Sequence, residues 1–206
     1  MTTHPAHSKK GNHPTLILAS GSAARKAMLE QAGLDFSIHP ASIDEALLSQ
    51  QADTPEAKAR LLAREKALHV SREFKDAPVI GSDQILCLGQ EIFSKAKDTN
   101  DALAKLRRLS GRTHRLISAV AVARNGEVLW DYQDFADLSM RALDEDFLAR
   151  YAERAGDALT SCVGGYQIEG AGAWLFDAVK GDFFTIMGMP LLALLGYLYE
   201  EHRIGP

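Results

Sequence analysis

Val79-Ile80-Gly81-Ser82-Asp83-Gln84-Ile85-Leu86-Cys87-Leu88 is the stretch on which the rest of the chain is read. Apolar residues at both ends make Pro78 to Leu88 the strongest strand signal in the sequence. Ser82, Asp83 and Gln84 interrupt it where a central strand should be apolar. A carboxylate in such a place is costly unless it is paired, hydrogen-bonded or metal-bound. Gly81 beside it permits a bulge or a close approach by another group. A satisfied structural Asp would account for the pattern. An active site accounts better for three polar residues in a row at the centre of an apolar strand.

Upstream, Thr15 to Leu18 reads as a buried strand and Ser20-Gly21-Ser22 as a turn. A helix follows from Ala23 to Gln31, with Ser22 as its N-cap and Gly33 as its stop. Arg25 and Lys26 fall in the first turn, where the helix dipole disfavours a cation. A phosphate seated on the free N–H groups would explain the turn and the cations together. A Ser-capped surface helix with solvated cations explains them as well, and spacing alone does not separate the two. The GxxxxGK[ST] loop is absent. Phe36 to His39 reads as a strand, and Asp44-Glu45 behind it as a carboxylate pair in a loop.

Thr54-Pro55 opens a helix to about Phe74, with Thr as cap and Pro at the first helical position. Ala59, Leu62, Ala63, Lys66, Ala67 and Val70 fall on one stripe of it. Lys66 in the middle of that stripe either snorkels to the core's edge or reaches an anion in a cleft. Downstream, Glu91 to Phe93 forms a hairpin with the central strand. A helix capped by Thr99 or Asn100 runs to Leu109. Strands are expected at His114 to Ala123, Glu127 to Trp130 and Phe135 to Met140, the first two joined by a type I′ turn at Asn125-Gly126. Asp144 caps a helix to about Arg154, and a last helix covers Leu191 to Glu201. Helices and strands alternate around at least one antiparallel hairpin. The expected class is therefore α/β with a mixed sheet flanked by helices.

The 206 residues are 46% hydrophobic and 24% charged, an ordinary globular composition with room for one sizeable core. Residues 1–13 read as a flexible polar tail carrying His4, His7 and His13, and residues 14–206 as a single domain. With a formal charge of -4, no nucleic-acid partner is expected, since general nucleic-acid binders are basic. The apolar stretch from Met187 to Leu198 is broken by Gly188, Pro190 and Gly196 and is too short to span a bilayer, so no membrane partner is expected. Cys87 and Cys162 belong to no CxxC pair and read as reduced, buried thiols of a cytoplasmic protein.

The chain also resembles the Maf family of nucleotide pyrophosphatases, the septum-formation-inhibitor-like proteins. The resemblance runs from about Leu16 to Leu198. It is carried by Leu18-Ala19-Ser20-Gly21-Ser22-Ala23-Ala24-Arg25, Ile43-Asp44-Glu45, Leu62-Ala63-Arg64-Glu65-Lys66-Ala67 and Ile80-Gly81-Ser82-Asp83-Gln84. Leu109 to His114, Gly165 to Gly170 and Gly188-Met189-Pro190-Leu191 continue it in the same order. It implies an elongated fold like that of the inosine triphosphate pyrophosphatases, in an often homodimeric protein. It implies a small-molecule nucleotide substrate cleaved to the monophosphate and pyrophosphate. Asp83 would be the general base, with Glu45, Lys66 and Lys95 beside it and a divalent metal, Mg²⁺ or Mn²⁺, on Glu45 and Asp83.

By the same resemblance Ser20, Ser22, Arg25, Lys66 and Lys95 hold the triphosphate, and Ala24, Gln84 and Glu169 fall where the family sets its base preference. Gln84 and Glu169 match the 7-methyl-GTP branch. Ala24 departs from it, since that branch carries a large aromatic there. The usual Gly-Lys-Pro is Ser94-Lys95-Ala96 here, and the second Arg of the first motif is Lys26. A nucleotide-binding regulator of cell division or septum formation, with little catalysis, would use the same pocket.

Overall fold

A computed structural model describes residues 16–205; the N-terminal tail with His4, His7 and His13 lies outside the described residues. Among the described residues, seven strands form one mixed sheet. In chain order they are β1 (Leu16–Leu18), β2 (Phe36–Ile38), β3 (Val79–Leu88), β4 (Glu91–Phe93), β5 (Thr113–Arg124), β6 (Glu127–Met140) and β7 (Phe176–Lys180). The spatial order is β2-β1-β3-β5-β6-β7, with β4 also paired to β3. β1 runs parallel to β2 and β3, and the other pairings are antiparallel. The helices are α1 (Ala23–Gln31), α2 (Glu45–Ser49), α3 (Pro55–Glu73), α4 (Thr99–Leu109), α5 (Glu145–Ala155), α6 (Ala158–Ser161), α7 (Phe183–Met187) and α8 (Leu191–His202). A 3₁₀ turn covers Ala171–Leu175.

Alternation along β3 and β5 assigns the two faces of the sheet. Ile85 and Cys87 of β3, with Ile117, Ala119, Ala121 and Ala123 of β5, pack under Ala59, Ala63 and Ala67 of α3. On the other face Ile80, Val120 and Val122 pack with Met28 and Leu29 of α1 and Leu194 and Leu198 of α8. Farther along that face Leu86, Leu116 and Leu138 meet Leu106 and Leu109 of α4 and Leu148 of α5. Each buried Leu, Ile, Val or Met among them contributes about 1.5–3 kcal/mol, so an ionised residue inside this layer stands out.

β3 has one complete edge and one broken edge. β5 pairs it continuously from Val79 to Cys87. On the opposite side β1 pairs only with Val79 and Ile80, and β4 only from Leu86 to Leu88. Gly81 to Ile85 therefore face a gap in the sheet, beyond the carboxyl end of β1, where open α/β sheets hold their ligands.

Several expectations are corrected. The two short strands at Glu127 to Trp130 and Phe135 to Met140 are one fourteen-residue strand. Its polar middle is satisfied from outside the sheet. Asp131 pairs with Arg60 and Arg64, Gln133 donates to the Glu56 carbonyl, and Asp134 accepts from Thr185. Asp44 and Glu45 are not in a loop: Asp44 accepts from the Leu47 amide at 2.9 Å and caps α2. Asp98, rather than Thr99 or Asn100, caps α4. Cys87 is buried as expected, but Cys162 is only half-buried. The turn at Asn125-Gly126 has φ of 53° and 79°, as type I′ requires.

Candidate active site

The turn after β1 and the gap beside β3 open onto one cavity of about 730 Å3, a size that accommodates a nucleotide-scale ligand. Ser20, Ser22, Ala24, Arg25, Glu45, Lys66, Asp83, Gln84, Lys95 and Glu169 all line it. Asp83 and Gln84 are consecutive on β3 and point to opposite faces; both reach the cavity because the edge between those faces is uncovered.

Asp83 faces α3. Its Oδ1 accepts a hydrogen bond from Lys66 Nζ at 2.6 Å, and the same ammonium lies 2.7 Å from Glu45 Oε1. Lys66 is thus the cation of the α3 stripe, and it neither snorkels nor stands alone. Among the described residues Oδ2 of Asp83 has no hydrogen-bond partner. Burial pushes the Asp83 carboxyl above the ordinary carboxylate value, against the pull of Lys66 and Arg25. A carboxyl of that kind holds a proton more readily than a surface Asp and is the stronger base once ionised.

Arg25 behaves differently from a solvated first-turn cation. It is buried, with Nε donating to the Gly188 carbonyl at 2.9 Å and Nη1 to Ser82 O at 2.9 Å and Ser20 Oγ at 3.1 Å. Burial lowers its affinity for a proton below the usual guanidinium value, offset by the charges of Asp83 and Glu45. Lys26, one residue on, pairs with Glu30 at the surface. Ser22 caps α1 through the Arg25 amide at 3.4 Å, and the Ser22 amide lies 3.3 Å from Ser20 Oγ.

The element that organises this wall is α7, which the sequence does not announce. A short helix leaves its last carbonyls free, and here side chains of the site take them. Gln84 Nε2 donates to Thr185 O at 3.1 Å and Ile186 O at 2.9 Å, and lies 3.1 Å from Ser118 Oγ. Ser118 donates to Thr185 O at 2.7 Å. Ser82 and Arg25 both reach Gly188 O, just past the helix. The amide nitrogen of Gln84 is therefore used up, and Oε1 is the atom left for a ligand.

The opposite wall comes from Ser161 at the end of α6 and the loop after it, Cys162 to Glu169. Tyr166 is buried there and its hydroxyl lies 2.6 Å from His114 Nε2 on β5. Among the described residues His114 Nδ1 is buried without a hydrogen-bond partner. Desolvation lowers the His114 pKa to about 4, so the folded protein holds a neutral imidazole. An unfolded chain protonates it near the ordinary value of about 6.5. The folded pKa lies below the unfolded one, so this contribution to stability is full above the unfolded value and is lost as pH falls toward about 4. The loss is on the order of 3 kcal/mol. Urea unfolding of wild type and His114→Gln between pH 7 and 4 is expected to show a shallower pH dependence in the variant. Parallel curves would remove His114 from the acid transition.

Sequence reasoning missed the α7 carbonyls, Ser118, Tyr166, Cys162 and Lys58, all at or beside the cavity. Lys58 alone carried a signal, lying two turns before Lys66 on the same side of α3.

Comparison with known proteins supplies the family. The Maf-like protein family matches residues 15–201. A 7-methyl-GTP pyrophosphatase of Rhizobium etli is 50% identical over 191 residues, 91% of this chain and 96% of that protein. A 7-methyl-GTP pyrophosphatase of Brucella abortus is 48% identical over 193 residues, covering 92% and 97%. A nucleoside triphosphate pyrophosphatase of Rhodopseudomonas palustris is 47% identical over 196 residues, covering 94% and 96%. Among solved structures, a HAM1 protein from Coxiella burnetii aligns with a TM-score of 0.42 at 17% identity, covering 62% of this chain and 73% of that one. With a family match over most of its length and a relative 50% identical over 91% of it, this chain belongs to the Maf-like protein family.

Proposed function

We propose that this chain hydrolyses a nucleoside triphosphate to the monophosphate and pyrophosphate, and that its preferred base is guanine-like, with 7-methyl-GTP the best substrate. The protein is then a hydrolase of acid anhydrides, as the names of its relatives suggest. The observation that carries the reading is Asp83: a buried carboxylate with one oxygen held by Lys66 and the other unpartnered, at a gap in the sheet that opens on the cavity. Asp83 takes the proton of a water that attacks the α-phosphorus, and the phosphoanhydride bond to the β-phosphate breaks. Lys66 holds Asp83 and Glu45 in place, while the Ser20-Gly21-Ser22 turn and Lys95 meet the phosphates.

A divalent cation fits this arrangement. Among the described residues no three His, Cys, Asp or Glu side chains gather around one point. Glu45 and Asp83 are hard oxygen donors, and Mg²⁺ or Mn²⁺ is commonly bound by one or two carboxylates plus substrate phosphates. Glu45 and Asp83 would hold it, and it would supply charge neutralisation on the phosphate chain.

The base preference follows from hydrogen-bond polarity. Gln84 offers Oε1 because Nε2 is committed to α7 and Ser118. Glu169, at the exposed rim of the cavity, can only accept. Two acceptors match the adjacent N1–H and amine of guanine, whereas uracil and thymine present one N–H flanked by carbonyls. Methylation at N7 places positive charge on the ring, which strengthens N1–H as a donor and draws it toward a carboxylate. Pyrophosphate release with Mg²⁺ or Mn²⁺ is expected to favour 7-methyl-GTP and GTP over UTP and dTTP by about 10²-fold or more in kcat/KM. Release from none of these would defeat the hydrolase and leave a nucleotide-binding regulator.

A further inference from the structure

Among the described residues, four cations line the cavity: Arg25, Lys58, Lys66 and Lys95. Two of them are engaged within the protein. Arg25 directs Nε and Nη1 to three protein oxygens. Lys66 bridges two carboxylates at 2.6 and 2.7 Å. A polyphosphate carries several negative charges; Lys66 is already neutralised by its two carboxylates, and Arg25, though still charged, has Nε and Nη1 committed to protein oxygens. Among the described residues, Lys58 and Lys95 form no ion pair, and Lys95 is exposed while Lys58 is half-buried.

Lys58 lies on the side of α3 that matters. Lys58, Leu62 and Lys66 stand at i, i+4 and i+8, and all three line the cavity. Eight residues of helix rise about 12 Å, so Lys58 and Lys66 sit at separate points along a chain of phosphates. Lys58 is also in the first turn of α3, after the Thr54 cap and Pro55. The helix dipole disfavours a cation there, and an anion in the cavity would relieve that cost.

We propose that Lys58 is a further phosphate-binding residue of this site, holding the terminal phosphates of the substrate and the pyrophosphate they become. The inference rests on reading the cavity as a triphosphate site, yet it can be tested without turnover. Inorganic pyrophosphate would be titrated calorimetrically into the full-length wild type, Lys58→Met and Lys58→Arg. Met keeps the stem and its packing and removes the charge; circular dichroism checks that each variant is folded.

The dissociation constant is expected to rise about tenfold or more in Lys58→Met, the loss of a hydrogen bond between charged groups, and to return most of the way in Lys58→Arg. Equal affinity in wild type and Lys58→Met overturns the proposal, as does a wild type that binds no pyrophosphate. Pyrophosphate binding that depends on Lys58, in a protein that hydrolyses no nucleotide, would uphold Lys58 and sink the hydrolase reading alone.

Discussion

Asp83→Asn is expected to lower kcat by about 10²–10⁴-fold, the range typical of a positioned general base, while nucleotide affinity changes little. The amide has the shape of the carboxylate, and its Oδ1 can still accept from Lys66 Nζ, which stands at 2.6 Å in the native protein. Lys66 also keeps Glu45 at 2.7 Å, so the substitution strands no cation. What disappears is an oxygen able to take a proton from water. Single-turnover pyrophosphate release, set beside calorimetric nucleotide binding, separates the two effects. Unchanged turnover would end the assignment of Asp83 as base.

The same substitution has a signature in stability. Burial raises the Asp83 pKa in the folded protein above its unfolded value. The fold therefore favours the protonated form, and ionised Asp83 costs stability. That cost is absent below the unfolded pKa, grows as pH rises through the window between the two values, and is constant above it. Asp83→Asn should accordingly be at least as thermostable as wild type at neutral pH, with the gap closing in acid. Activity lost together with stability would identify Asp83 as a structural carboxylate.

How far the site was legible depended on whether a residue's reason for being there was local. Asp83 and Lys66 break apolar patterns of period two and 3.6, so each was visible as a conflict within its own element. Their direct contact needed the fold. Arg25 was noticed because it opposes the dipole of α1, and the phosphate reading of that conflict passed over a second solution. The free carbonyls of α7 and its following residue lie 163 positions away in sequence for the Arg25–Gly188 contact, and no short-range pattern could indicate them. α7 itself has five residues, too few for a period. β7 escaped for a related reason: as an edge strand it buries only Phe176 and leaves the rest exposed, so the alternation that marks a strand is missing. Where both faces or a long helical stripe were buried, as in β3, β5 and α3, the elements could be read from the chain.

Gly81→Ala is expected to be strongly damaging for a change of a single methyl group. A Cβ at Gly81 would lie 2.2 Å from the Ala63 carbonyl oxygen and 2.5 Å from the Ala67 amide nitrogen. Both are backbone atoms of α3, which cannot swing aside as a side chain could. Ordinary contact begins near 3.4 Å, so the helix would have to retreat by about 1 Å along a seam of Ala59, Ala63 and Ala67. Overpacking of this kind costs about 1–3 kcal/mol or more, which for a chain of this size lowers Tm by roughly 2–12 °C. Gly196→Ala in α8 is the matched control. It has nothing within 4 Å and no unusual φ, and replacing a helical Gly should be neutral or stabilise by about 0.5–1 kcal/mol.

The consequence for chemistry is larger than the consequence for stability. Ala67 neighbours Lys66, and Gly81 is two residues from Asp83 on the same face of β3, so the close approach that Gly81 permits is what brings the ammonium within 2.6 Å of the carboxylate. A displacement of about 1 Å at such a contact can cost about 10²-fold in rate. Even the folded fraction of Gly81→Ala should therefore turn over slowly, and calorimetry at a temperature below its transition would isolate that loss. Wild-type Tm and rate in this variant would mean that α3 and β3 have slack between them, and that the Lys66–Asp83 pair is set by something other than how tightly the helix lies on the strand.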